Sequence, residues 1–271
     1  MTMRADAPDA PQAREIVPGK VYALGGSVRL DGRVSWAPEA ADLGQACRCY
    51  VLIEGDSALL VDTGVPAHWP TIEPQLRALV APGTSARVFL TRPELDCVAN
   101  LPAIRDIYSL EDTDVLSGGA DSPFDFFNEA AALSQARQHS HVVLRTSGFD
   151  LGPDRKIRIV VPKLRFLPTY WPYDIATRTL FTSDMFTHVC EAADGSAVVD
   201  DFASHLLCKF WWLDGAVTQP FIDDIRSIFD QLQPEILAPN HGGVIRGREA
   251  IEAQVRALTD VLKACAVGKG R

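Results

Sequence analysis

What the chain lacks narrows its function first. It has no excess of basic charge: 26 Lys and Arg against 35 Asp and Glu give a net charge of −9. The basic face that a phosphate backbone requires is missing, so no nucleic-acid partner is expected. No polybasic run marks a membrane-surface segment, and no stretch approaches the ~18 consecutive apolar residues of a transmembrane helix. Residues 1–14 are rich in Ala, Pro and charge and have no apolar core of a signal peptide, so they read as a flexible tail and the expected location is the cytoplasm. No repeat of fixed period and no long linker divides the chain.

What is present is ordinary for a globular protein. The 271 residues are 47% hydrophobic and 23% charged, enough for a substantial core in one large α/β domain. That domain is expected over residues 15–266, with residues 267–271 as a C-terminal tail. The six cysteines are Cys47, Cys49, Cys97, Cys190, Cys208 and Cys265. In a cytoplasmic chain they are expected to be thiols rather than a disulfide framework. Cys47 and Cys49 flank one residue, share a face if that segment is a strand, and read most simply as core thiols.

Apolar runs alternate with amphipathic stretches. Strands are expected over residues 21–30, 49–54, 58–62, 87–91, 141–146, 156–161, 179–182 and 236–238. Helices are expected near 72–80, 97–107, 124–138, 202–213, 218–232 and 248–265. Four segments carry the chemistry: Leu59-Leu60-Val61-Asp62-Thr63-Gly64; Phe89-Leu90-Thr91-Arg92-Pro93-Glu94-Leu95-Asp96-Cys97, running on to Asn100; Leu180-Phe181-Thr182-Ser183-Asp184-Met185-Phe186; and Ala238-Pro239-Asn240-His241-Gly242. Each is a strand end followed by a turn or helix start, where loops of an α/β layer converge without breaking the core. Singly, each has a bland reading: Asp96 as a first-turn acid of a helix, Cys97 as a small buried hydrophobe, His241 as a turn residue.

In this order and spacing the four segments resemble the metallo-β-lactamase superfamily, whose pattern runs Asp-x-Gly, then Thr-His-x-His-x-Asp-His, a further His, a bridging Asp and Ser-His-Gly. Glu94 and the context of Asp184 resemble the flavodiiron and oxygen-binding diiron branch more closely. The resemblance covers residues 21–243 and implies a metallo-β-lactamase-type αββα sandwich. It implies Glu94, Asp96, Asp184 and His241 as metal ligands, with Cys97 where that pattern has a last histidine. Asp62, Arg92, Tyr170 and His188 would line the pocket. It also implies a homodimer and a separate electron donor, because the flavodoxin domain of flavodiiron enzymes is expected to be missing after Arg271.

The pattern is rewritten at the first histidine, which is Arg92, and at the histidine ahead of the bridging Asp, where Tyr170 or a deletion stands. Arginine is permanently protonated and has no lone pair for a metal. Its guanidinium can pair with Glu94 and Asp184 and take the place of one ion. The second seat (Asp96, Cys97, Asp184 and His241) has a donor set competent for tetrahedral zinc. Without the thiol it suits non-haem iron. His188, Cys190, His205 and Cys208 are further candidate ligands or lining groups, while His68, His139 and His141 are expected at exposed positions. Phe202 and Phe210-Trp211-Trp212 read as a core-facing or interface stripe. The resemblance implies first a metal-binding redox or gas-binding protein, with one or two irons in an atypical site and no flavin domain; the alternatives are a mononuclear zinc hydrolase and a metal-free site with a binding, sensing or scaffold role.

Overall fold

The computed structural model describes residues 12–29, 44–117, 142–143, 148–165, 167–188 and 209–266. Two mixed sheets stack face to face. The first is built from β1 (Arg14–Val17), β2 (Val21–Arg29), β3 (Gly44–Glu54), β4 (Ser57–Val61), β5 (Ser85–Leu90), β6 (Val115–Ser117) and β7 (Val142–Val143), in that spatial order. Its first four strands are antiparallel and β4 to β7 are parallel. The second sheet runs β13 (Ile245–Arg246), β12 (Ile236–Pro239), β11 (Thr179–Ser183), β10 (Trp171–Asp174), β9 (Arg155–Val160), β8 (Gly148–Gly152), with only β11 and β12 parallel. Helices α1 (Trp69–Leu79), α2 (Leu95–Val98) and α3 (Leu101–Tyr108) follow strands of the first sheet. Helices α4 (Gln219–Leu232) and α5 (Arg248–Ala266) flank the second.

The strand sequences dictate this layering. On β4, Leu59 and Val61 enter the core between the sheets, while Ala58 and Leu60 pack outward with Ile72 and Leu76 of α1. On β11 and β12, Phe181 and Ala238 face the other sheet, and Leu180 and Leu237 face Ile222, Ile225 and Leu258 of α4 and α5. Both faces are buried, so these strands read as continuous apolar runs rather than alternating ones. The order is therefore helices, sheet, sheet, helices, as expected.

Several local expectations need correction. The helix expected over 97–107 is broken at Ala99 and Asn100. The Asn100 backbone N–H donates to Thr63 Oγ1 at 3.1 Å, and its side chain donates to the carbonyls of Thr63 and Gly64 at 2.9 and 3.0 Å. Among the described residues of the segment 202–213, Trp211–Leu213 is a 3-10 turn. Phe210 is core, while Trp211 and Trp212 are 72% and 42% exposed, so of the two readings of the stripe the core-facing one holds for Phe210 and not for the tryptophans. His68 is half-buried, its ring over Gly26, rather than exposed. β1, β6, β8 and β10 are too short or too irregular in pattern to be read in advance. The helix expected near 124–138, and Cys190, His139, His141, Phe202, His205 and Cys208, lie outside the described residues.

Candidate functional site

The ends of β4, β5, β11 and β12 lie side by side through the parallel pairings of β4 with β5 and β11 with β12. All four chemistry-bearing segments leave the sandwich at this end. Two turn residues adopt left-handed backbone conformations that non-glycine residues rarely take, Asp62 at φ 60° and Ser183 at φ 55°. Side-chain hydrogen bonds hold both. Asp62 accepts from Thr91 N and Thr91 Oγ1 at 2.7 Å each and from Asn240 Nδ2 at 2.6 Å. The Thr91 hydroxyl spends its one hydrogen on Asp62, so at 2.7 Å it accepts from the Ser183 hydroxyl. Ser183 in turn accepts from Arg92 Nη1 at 2.5 Å. A directed chain thus runs from Arg92 through Ser183 and Thr91 to Asp62. Burial pushes the Asp62 carboxyl up to about 6 against the pull of these donors.

Arg92 is 3% exposed and is the hub of the site. Its Nε pairs with Glu94 and its Nη2 with Asp96 Oδ2. The same Asp96 oxygen accepts from His241 Nε2 at 2.6 Å. Asp184 Oδ2 is held by Lys209 Nζ at 2.5 Å. Burial works to raise Asp96 and Asp184. The Arg92 charge outweighs it only together with His241 on Asp96 and with Lys209 on Asp184, and both carboxyls stay below the usual range. Burial works to lower His241, but the Asp96 hydrogen bond and a contact with Cys47 overcome it and hold the imidazole at about 9. Three carboxylates (Glu94, Asp96, Asp184) therefore meet three cations (Arg92, Lys209, His241) within one cluster.

The remaining expected site residues are placed as follows. Cys97 is fully buried in the core beneath the first sheet. Its sulfur meets Asn240 Nδ2 at 3.4 Å and Thr91 Oγ1 at 3.7 Å, and burial raises its pKa far above that of a free thiol. His188 is locked at both ring nitrogens: Nε2 accepts from Gly243 N at 2.9 Å, which makes Nδ1 the donor to Phe186 O at 2.9 Å. It has no lone pair to offer a ligand and stays neutral, its pKa lowered by burial. Gly242, at φ 121°, leaves room for this ring, since a Cβ there would sit 2.7 Å from His188 Cε1. Tyr170 packs with the inter-sheet core and donates its backbone N–H to Thr91 O at 2.9 Å. It supports the strand that carries Arg92.

The groups able to ligate a metal are thus Glu94, Asp96, Asp184 and His241, and each commits an atom to a protein partner. Among the described residues no three His, Cys, Asp or Glu side chains converge in a geometry that would hold a metal ion. Lys209 and Cys47 are the participants that sequence reasoning missed. A lysine inside the apolar run Leu206-Leu207-Cys208-Lys209-Phe210 was a signal that some buried carboxylate needs a partner.

The model of the family described as ODP family beta lactamase matches residues 46–242. Among solved structures, the fold matches rubredoxin oxygen:oxidoreductase from Desulfovibrio gigas (TM-score 0.64, 15% identity, 93% of this chain and 62% of that one). It also matches the flavodiiron protein from Giardia intestinalis (TM-score 0.64, 15% identity, 95% and 61%). A third match is a peroxy diiron species of the chemotaxis sensor ODP (TM-score 0.57, 15% identity, 82% and 92%). The chain spans about 62% of the first of these proteins and 61% of the second. At such identities the likeness establishes the αββα fold of the metallo-β-lactamase type. No curated protein matches the sequence.

Proposed function

This chain belongs to the ODP family of beta-lactamases, and we propose that within it the chain is a metal-independent member, a binding or sensing protein whose salt-bridge cluster stands in place of a metal centre. The observation that carries this reading is Arg92, buried and bonded at once to Glu94, Asp96 and Ser183. Iron is the metal to weigh, because the related solved structures are described as diiron proteins. The residues present do not fit it. A divalent ion between Asp96 and Asp184 would have to displace Arg92 from one and Lys209 from the other. It would also leave a buried guanidinium facing it, a repulsion of roughly 7 kcal/mol at about 5 Å and an effective dielectric of about 20. The imidazole that would ligate is already engaged through Nε2 by Asp96 at 2.6 Å.

The same network supports a role in binding rather than hydrolysis. Activating a metal-bound water needs an ion with an open position, and this cluster closes its charge internally. The test is an anaerobic titration of untagged protein with ferrous iron, followed by thermal melting. The expected result is no rise in melting temperature, since a ligand that binds the folded state raises it in proportion to its saturation. A saturable rise at one or two irons per chain would overturn the reading.

A further inference from the structure

The end of the molecule opposite the Arg92 cluster holds a cavity that no sequence motif announces. His241 follows the end of β12, whereas α4 closes just before β12 starts, and α5 opens just after β13, which runs antiparallel to β12. Between these two helices lies a groove of about 270 Å³. On α4, Arg226, Phe229 and Asp230 recur three and four residues apart, and on α5 Arg248, Ile251, Glu252 and Val255 do the same, so each helix turns one face to the groove. Phe229, Ile251 and Val255 make its apolar floor. Phe186 packs edge to face against Phe229 at 5.7 Å and fixes that floor in the core. With Arg256, three guanidiniums stand around it against two carboxylates, one positive charge in excess on a chain of net charge −9. These charges do not satisfy one another. Arg248 and Arg256 share the single carboxylate of Glu252, each at 3.8 Å. Among the described residues the Arg226 guanidinium makes no ion pair or hydrogen bond, although Asp230 stands one turn along the same face.

We propose that this groove binds a small apolar monocarboxylate, with its carboxylate on Arg226 and its hydrocarbon body over Phe229, Ile251 and Val255. No residue of the Arg92 cluster takes part, so the site holds whether or not that cluster excludes a metal. Arginine is permanently charged, and its planar fork matches a carboxylate through two parallel hydrogen bonds. One excess positive charge suits a monoanion. A phosphate dianion would leave a negative charge uncompensated beside Asp230 and Glu252. The apolar floor asks for a hydrocarbon or aromatic body, which an inorganic anion lacks. Volume sets the size of the occupant. Small-molecule pockets begin at roughly 300 Å³, so the groove suits a free small molecule and has no room for a docked helix.

The experiment titrates the full chain with hexanoate, reading affinity by calorimetry and location by backbone amide shifts in NMR spectra. Hexanol, which lacks the charge, and acetate, which lacks the body, are the controls. Hexanoate should saturate, with the shifts gathered on residues 226–233 and 248–256. It should bind at least about tenfold more tightly than either control, the low end of what a charged hydrogen bond or several buried methylenes supply. Arg226→Gln should weaken hexanoate by about tenfold or more. Arg226 is exposed on the helix surface, so that variant keeps the fold. Lys156→Gln, which removes an exposed cation on β9, should change nothing. Equal binding of hexanol, an unchanged affinity in Arg226→Gln, shifts gathered elsewhere, or no saturation up to about 10 mM would each overturn the site. A short peptide ending in leucine that bound about tenfold more tightly than hexanoate would overturn the small-molecule assignment and give the groove to a protein C-terminus.

Discussion

Two buried arginines sit at opposite ends of the sandwich and solve the same problem differently. Arg155, 1% exposed, lies at the start of β9 and holds Asp174, itself 0% exposed, through three contacts of 2.6–3.2 Å. Its remaining donors reach the carbonyls of Ile53 and Lys20, so it ties the second sheet to the first. Arg92 is nearly as buried, but its partners Glu94 and Asp96 are 34% and 19% exposed. There the charges outnumber a simple pair, the turn backbone is left-handed, and one imidazole and one thiol join. A sealed pair fixes architecture. A cluster that keeps one side toward solvent, at the strand ends where loops converge, has the form of a site.

Mutation can sharpen the contrast. The largest effect is expected at the sealed end. Asp174→Ala removes the fully buried partner of the Arg155 guanidinium, leaving it only Glu54 at 3.5 Å, and should lower unfolding free energy by about 3 kcal/mol, read from the urea midpoint. Arg92→Ala should cost less, about 2 kcal/mol, because water can reach Glu94 and Asp96 and re-solvate them. A loss equal to that of Asp174→Ala would erase the distinction. Next comes pH. The folded His241 pKa of about 9 lies above its ordinary value of 6.5. The stabilisation from its proton is therefore complete below about pH 6.5 and lost as pH rises through 9, by on the order of 1–3 kcal/mol. Urea melts at pH 6.5 and 9.5 should differ by that amount in the native protein and not in His241→Asn. The smallest effect is expected for Glu94→Gln, within about 1 kcal/mol, since a pair one-third exposed is screened.

The layered fold was legible because long apolar strands and amphipathic helices carry their periods locally. Asp62, Arg92, Glu94, Asp96, Asp184 and His241 were legible as a group for a different reason: each follows a strand whose end can be read. What escaped was pairing between distant segments. Lys209 meets Asp184 and Cys47 meets His241 through tertiary packing alone, and neither lies in a spaced motif. Cys97 illustrates the reverse. It occupies a ligand position in the spacing, but the first turn of α2 directs it into the core with Val98 and Leu101.

The account turns on whether the Arg92 cluster takes the place of a metal. The direct measurement is metals per chain by elemental mass spectrometry on untagged protein prepared anaerobically, before and after incubation with ferrous iron. The account predicts far less than one metal per chain in both samples. One or two irons retained through desalting would contradict it and would require Arg92 and Lys209 to swing away from Asp96 and Asp184.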